Sequence, residues 1–473
     1  MKSLKNMISF SNLDIIIIIS FFLILSLIGF FARINTKNDS TDFLLSGRRV
    51  GLFLFVMTNV STWYGGILGV GEFTYNSGLL SWVTQGLPYY LFALLFAFFF
   101  AEKIQSSSLF TIPDKLELIY GKQVGLIASF FILILVTPAP YILMTGNLIQ
   151  LIFNIDLLPS IIIATIFSSL YLLKGGYKAD LFTDVFQFFV MFVGFIMIFV
   201  FSLIQFDGYS FLVNNLPENH LKLFGGASPF FILIWFLIAS WTFADPGFHQ
   251  RCNAAKDGKT AKYGILISII LWALFDFLTT STGLFSKAAL PNIENPVQAF
   301  PLYAELILSS GTKGIFYAAL FATIISTTNS FLFISATTFG RDLVYKRSRK
   351  KNEEKIVIFT KYGLLVSSII SIAFAYFIKS VISIWYLVGS VFIPGLIFLI
   401  ISSYYNKFQI SNRLATLEII TASVVSLLWI IMKIVLNTEL LPNIEPMIIG
   451  LFSAFIIHTY GLRKSFFFLP KKR

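Results

Sequence analysis

The chain has little of what most soluble functions need. Among its 473 residues there is one cysteine, Cys252, which excludes an intrachain disulfide and a cysteine metal cluster. The three histidines, His220, His249 and His458, are scattered, and only 12% of residues are charged. No polar stretch reaches the ~50 residues that a soluble domain requires. Neither a metalloprotease helix motif nor a serine-nucleophile elbow occurs, so neither an enzyme nor a cofactor is expected. Asp257-Gly-Lys-Thr260 looks like the end of a phosphate-binding loop. Position 253 is Asn rather than Gly, however, and no strand precedes it, so nucleotide energising is not expected.

What the chain does have is apolar length. Hydrophobic residues make up 57% of it, in runs of about 20 residues that recur from end to end, the signature of an all-α polytopic membrane protein forming one domain, residues 1–473. The pattern gives about thirteen spans. They cover 14–33, 49–77, 80–102, 124–154, 159–175, 178–205, 229–250, 260–287, 313–340, 356–378, 380–404, 413–436 and 445–462. The first run, from Asp14 to Phe31, imitates a signal peptide but is too long and lacks a small-residue cleavage site.

The net charge of +12 does not signal a nucleic-acid partner, because the basic residues cluster in short loops between apolar runs. One alternate set of loops carries most of them, from Arg33, Lys37, Arg48 and Arg49 through the Arg347 to Lys351 cluster to Lys471, Lys472 and Arg473. The other set holds few, among them Lys2, Lys5, Lys222 and Lys287. This sorting predicts an N-terminus outside and a C-terminus inside, which Lys2 and Lys5 oppose mildly.

Within the second span, Asn59 to Gly78 contains Gly65, Gly66, Gly69 and Gly71, each costing about 1 kcal/mol of helix propensity relative to Ala. Such a segment should unwind near the membrane midplane, where freed carbonyls are tolerated only if buried in protein or lining a wet cavity. The seventh span contains Ala244-Asp245-Pro246-Gly247, which should stop or kink a helix. A broken first helix in each of two five-helix units predicts an inverted repeat, 49–205 and 229–404. Residues 14–33 form an extra N-terminal helix, and 413–462 two extra C-terminal ones.

The ninth span reads Phe321-Ala-Thr-Ile-Ile-Ser-Thr-Thr-Asn-Ser330, dense in hydroxyls for a buried helix. Ser326, Thr327 and the carbonyl of Thr323 would present neutral oxygens to a monovalent hard cation, or simply bond to the preceding turn. Asp184 near the end of the sixth span either faces a water-filled path or snorkels and pairs with Lys178. Asp276 lies deeper in its span, as a second ion site or a structural hydrogen bond. Glu72 faces solute or, by default, caps the outer half-helix. Trp63, Tyr64, Gly66 and Trp241 flank the breaks and are candidates to contact solute, against the alternative of plain packing. Asp245 either meets a cationic solute or caps a half-helix at the kink.

These segments resemble the sodium:solute symporters, which have a LeuT-like core. The likeness runs from Asp42-Phe-Leu-Leu-Ser-Gly-Arg-Arg49 to Phe392-Ile-Pro-Gly395. Thr62-Trp-Tyr-Gly-Gly66 with Tyr75-Asn-Ser-Gly78 is similar to the choline-transporter branch. Gly175-Gly176 leading to Thr183-Asp-Val-Phe-Gln187, and Gln250-Arg251 leading to Ala254-Ala-Lys256, look like two further family motifs. The resemblance implies sodium coordination by the Ser326 and Thr327 hydroxyls and by the carbonyls of Thr323, Asn59 and Thr62. It also implies a role for Asp184 in sodium exit. Asn59 and Thr62 stand where small or aliphatic residues are usual, and Asn329 where an aspartate is frequent, which leaves the role of Asn329 open.

The expected function is therefore sodium-coupled symport of a small organic solute by alternating access, in the cell inner (plasma) membrane. The expected partners are sodium, the solute and lipid, with no obligate protein partner evident. The rivals are a proton-coupled or uncoupled carrier using Asp184 or Asp276, and a membrane sensor or channel that kept the transporter fold.

Overall fold

The computed structural model describes residues 8–32, 39–349, 352–435 and 444–468. Of the loop charges, Lys2, Lys5, Arg33, Lys37, Lys350, Lys351, Lys471, Lys472 and Arg473 lie outside these residues. Among the described residues every long apolar segment folds as helix, because a chain in hydrocarbon must satisfy its own N–H and C=O groups. In chain order these are α1 (Asn12–Phe31), α2 (Leu52–Tyr64 with Ile67–Ser77), α3 (Leu80–Ser106), α4 (Lys122–Phe153), α5 (Leu157–Leu170) and α6 (Leu172–Gln205). They continue as α7 (Pro229–Ala254), α8 (Gly258–Ala289), α9 (Thr312–Arg347), α10 (Glu354–Phe377), α11 (Val381–Ser403), α12 (Asn412–Val435) and α13 (Pro446–Lys464). Among the described residues eleven of these are long and apolar enough to cross a membrane, the bent pair of α2 makes a twelfth, and α5 is a shorter apolar helix.

Helix α9 is the hub. It is buried over 94% of its apolar window, against 28% for α1, and packs along α6, α1, α10 and α4. A helix surrounded by protein can carry hydroxyls on every side, which explains its composition. At the periphery, α12 and α13 pack on each other and on α11. Asp257 caps α8 by accepting from the Thr260 N–H at 2.7 Å, so the Asp-Gly-Lys-Thr stretch is a helix start rather than a phosphate loop.

The two expected interruptions differ. In α2 the helix tightens to a 3₁₀ turn over Thr62–Tyr64, passes Gly65 and Gly66, and resumes at Ile67 with a 57° bend. In α7 a 3₁₀ turn over Ser240–Ala244 leads to an extended Asp245 (ψ 116°), and Pro246 opens the next helix, without a bend above 40°. Proline at the first helical position loses no hydrogen bond, so the second half of α7 can start directly at Pro246.

Candidate functional site

The break in α2 lies against the middle of α9. A Cβ on Gly65 would collide with the Thr327 side chain, and one on Gly66 would stand 2.7 Å from the Trp385 indole. The glycines thus permit close approach as well as unwinding. Thr327 Oγ1 donates to the Thr62 carbonyl at 2.6 Å and lies 3.4 Å from the Thr323 carbonyl. Ser326 Oγ donates to Asp184 Oδ1 at 2.6 Å and to Ser61 Oγ at 3.1 Å. Thr62, Thr323, Ser326 and Thr327 therefore meet at one junction of neutral oxygens. Asn59 lies on the same half-helix and lines the adjoining cavity, its buried amide nitrogen without a partner.

Asp184 is fully buried beneath this junction, so it does not snorkel. It accepts from Thr58, Thr62 and Ser326, and its cationic neighbour is Arg251 at 3.9 Å. Arg251, also buried, donates to Thr62 Oγ1 at 2.5 Å, Ser330 Oγ at 3.2 Å and the Gly247 carbonyl at 3.1 Å. Asp180, one turn before Asp184, accepts from Ser330 at 2.6 Å and keeps its other oxygen unpartnered. Gln187, with its amide oriented to satisfy both neighbours, accepts from the Ser326 N–H at 3.2 Å. Asn329 bonds to the Tyr171 hydroxyl, away from the cavity.

Beside the junction a cavity of about 660 Å³ runs between α2, α3, α7, α8 and α11. Trp63, Tyr64, Gly66, Trp241 and Asp245 all line it. Asp245 does both things the sequence allowed. It caps the second half of α7, accepting from the Phe248 N–H at 3.0 Å, and it also lies on the cavity wall. Trp241, Tyr89 and Tyr141 lie near it. Trp63 packs against Trp272 (centroids 4.9 Å) and Tyr89 (5.3 Å). Tyr64 gives its hydroxyl to the Trp272 carbonyl at 2.8 Å and its ring to Phe275, so it largely serves packing. Glu72 corrects an expectation: the second half-helix of α2 starts at Ile67, with no side-chain cap, so Glu72 is past the first turn and faces the cavity.

The cavity extends towards Asn76, Ser81 and Glu445. At the other end, Arg341 and Lys346 bind Asp114 on the short helix Ile112–Tyr120 at 2.7 and 2.6 Å, and Lys346 also binds Glu117 at 2.7 Å. Burial pushes the Asp114 carboxyl up, but the two cations outweigh it and hold the group down at about 2.

The sodium:solute symporter family model matches residues 43–438 of this chain. The chain belongs to the sodium:solute symporter family. The symporter is thus a multi-pass membrane transporter, not an enzyme, and it couples sodium to the movement of a small solute. It is 26% identical over 408 residues to the high affinity choline transporter 1 of Homo sapiens, covering 79% of this chain and 69% of that one. It is 25% identical over 495 residues to sodium/proline symporter 2 of Staphylococcus saprophyticus, covering 98% and 94%. Its structure is similar to that of a Na+-coupled sialic acid symporter in a substrate-bound outward-open state, with a TM-score of 0.84, 17% identity and coverage of 98% and 99%. It is also similar to the nucleobase-cation-symport-1 transporter Mhp1, with a TM-score of 0.57, 15% identity and coverage of 92% and 96%. The symporter has the LeuT-like fold of these neighbours.

Sequence reading missed several residues of the site. Thr58, Ser61, Ser330 and Asp180 were passed over, although Asp180 shares a helix face with Asp184 by its four-residue spacing. Arg251 stood inside a quoted motif without a role. Tyr89, Tyr141 and Trp385 carried no local signal, since aromatics are 17% of the chain.

Proposed function

We propose that the symporter carries a small organic cation together with sodium, by alternating access, across the cell membrane. The observation that supports the solute class is Asp245, a buried carboxylate on the cavity wall with Trp241, Tyr89 and Tyr141 around it. Aromatic faces with a carboxylate behind them attract a quaternary ammonium group and need no donor from it. The relative named for choline fits this chemistry.

In this reading Thr62, Asn59 and Thr323 lend carbonyls, and Ser326 and Thr327 lend hydroxyls, to one sodium ion. Asp184 receives the ion on its way to the inner side. Sodium is the coupling ion, and no cofactor takes part. The N-terminus lies outside, so the cavity faces outward while the Asp114 network closes the inner end. Because α2 contributes to both sites, bound sodium fixes the Thr62–Gly66 turn and favours the outward-open state, which is how it raises solute affinity.

The test is thermal stabilisation of the purified full chain by choline, proline and a neutral sugar, each with and without sodium. Choline should stabilise it, and only in the presence of sodium. Stabilisation by proline or sugar with none by choline would overturn the cationic reading.

A further inference from the structure

Asp276 stands apart from the other carboxylates of the membrane core. It lines the outer part of the large cavity and is 9% exposed. Asp184 and Asp245 both lie within the field of Arg251, whereas Asp276 has only neutral donors around it among the described residues. The Tyr90 hydroxyl donates to its Oδ2. Tyr64 is near but gives its hydroxyl to the Trp272 carbonyl. From α6 the Phe192 and Phe195 rings pack against Phe275, the residue before Asp276. A Cβ on Gly86 would stand 2.9 Å from Oδ2, so the backbone of α3 closes directly over the carboxylate. Two further acids, Glu72 and Glu445, also line the cavity.

An ionised carboxylate in such surroundings is expensive unless something neutralises it. No fixed cation does so here, and the cavity gives access to water. We propose that Asp276 is a proton-binding site of the solute cavity, and that its proton and a cationic solute compete for the cavity's negative charge. The proton arrives from water through the cavity and forms an O–H bond at Oδ1, the oxygen that Tyr90 leaves free. On deprotonation it returns to water and the carboxylate charge is restored. The proton site stands on the geometry of Asp276 alone, whereas the competition rests on the cationic-solute reading above.

Infrared difference spectra of the full chain in lipid, recorded across a pH titration, test it. The wild type should show a protonated-carboxyl band that disappears as pH rises, and Asp276→Asn should lack it. Tyr90→Phe removes a donor that favours the ionised form, so the midpoint should move up by about one pH unit, tenfold in proton affinity. Should Asp276→Asn fail to reach the membrane, Tyr90→Phe carries the test. The proposal is overturned if Asp276→Asn keeps the titrating band or if Tyr90→Phe leaves the midpoint unmoved. It is equally overturned if the group stays ionised throughout and its loss lowers sodium stoichiometry, which would assign a metal ion instead. With choline as probe, half-saturation should rise about tenfold per pH unit below the midpoint in the wild type and stay flat in Asp276→Asn. If the infrared result holds while choline binding ignores pH or does not occur, the competition falls and the proton site stands.

Discussion

The two walls of the central cavity are built from different materials. On the α9 side, hydroxyls, carbonyls and the Asp184 carboxylate meet at 2.6 to 3.4 Å around Thr62, Ser326 and Thr327. On the α7 side, aromatic rings and a carboxylate stand around a cavity of about 660 Å³. A small ion that sheds water needs fixed oxygens in its place, while a bulkier solute needs room, shape and opposite charge. The comparison therefore predicts that sodium and solute binding are damaged by different substitutions. It also singles out Arg251 as a group that belongs to both walls, since it bonds to Thr62 on one side and to the Gly247 carbonyl on the other.

Arg251→Ala should have the largest effect and should break the separation. It leaves Asp180 and Asp184 buried without their cation, a loss of about 3–5 kcal/mol in stability. Thermal unfolding of the purified variant should show it, and uptake should disappear for sodium and solute alike. A stable variant with intact uptake would remove Arg251 from both walls.

Ser326→Ala combined with Thr327→Ala comes next. It should abolish sodium-dependent uptake while leaving the protein in the membrane, as surface labelling would report. Sodium dependence that survives unchanged would leave the α9 wall without a purpose. Asp245→Asn should do the reverse, weakening a cationic solute about tenfold to hundredfold, or about 1.4–2.8 kcal/mol, with little change in sodium half-saturation. Equal damage to both constants would mean that the two walls are one site.

How much of this was readable in the sequence depends on distance along the chain. The existence of helices follows from local hydropathy and turn chemistry, so each apolar segment matched a helix, with ends that differ by up to seven residues, as at Arg347 of α9. The α2 break was legible because glycine acts locally. That Gly65 makes room for Thr327 was not, because it requires knowing which helix lies opposite. Ser326 and Thr327 stood out by density within one span, whereas the Asp184–Arg251 pair joins α6 to α7 through tertiary packing. Glu72 was assigned to a cap because the restart of the helix at Ile67 falls one turn earlier than the glycine pattern suggested.

The smallest effect expected concerns the Asp114 network. Asp114 has a folded pKa of about 2, below its ordinary value of about 3.9. The stability it contributes is present above that ordinary value and is lost as pH falls through about 2. The network with Arg341 and Lys346 should thus hold unchanged between about pH 5 and pH 8, and Asp114→Asn should leave the pH profile of uptake unaltered in that range. A profile that flattens in this variant would move the proton-sensitive step from the solute cavity to the Asp114 network.

The most direct measurement is equilibrium binding of radiolabelled sodium to the purified protein, in the wild type, in the Ser326→Ala, Thr327→Ala double variant and in Asp245→Asn. The account predicts saturable binding that is lost in the double variant and kept in Asp245→Asn. Undiminished binding in the double variant would contradict it.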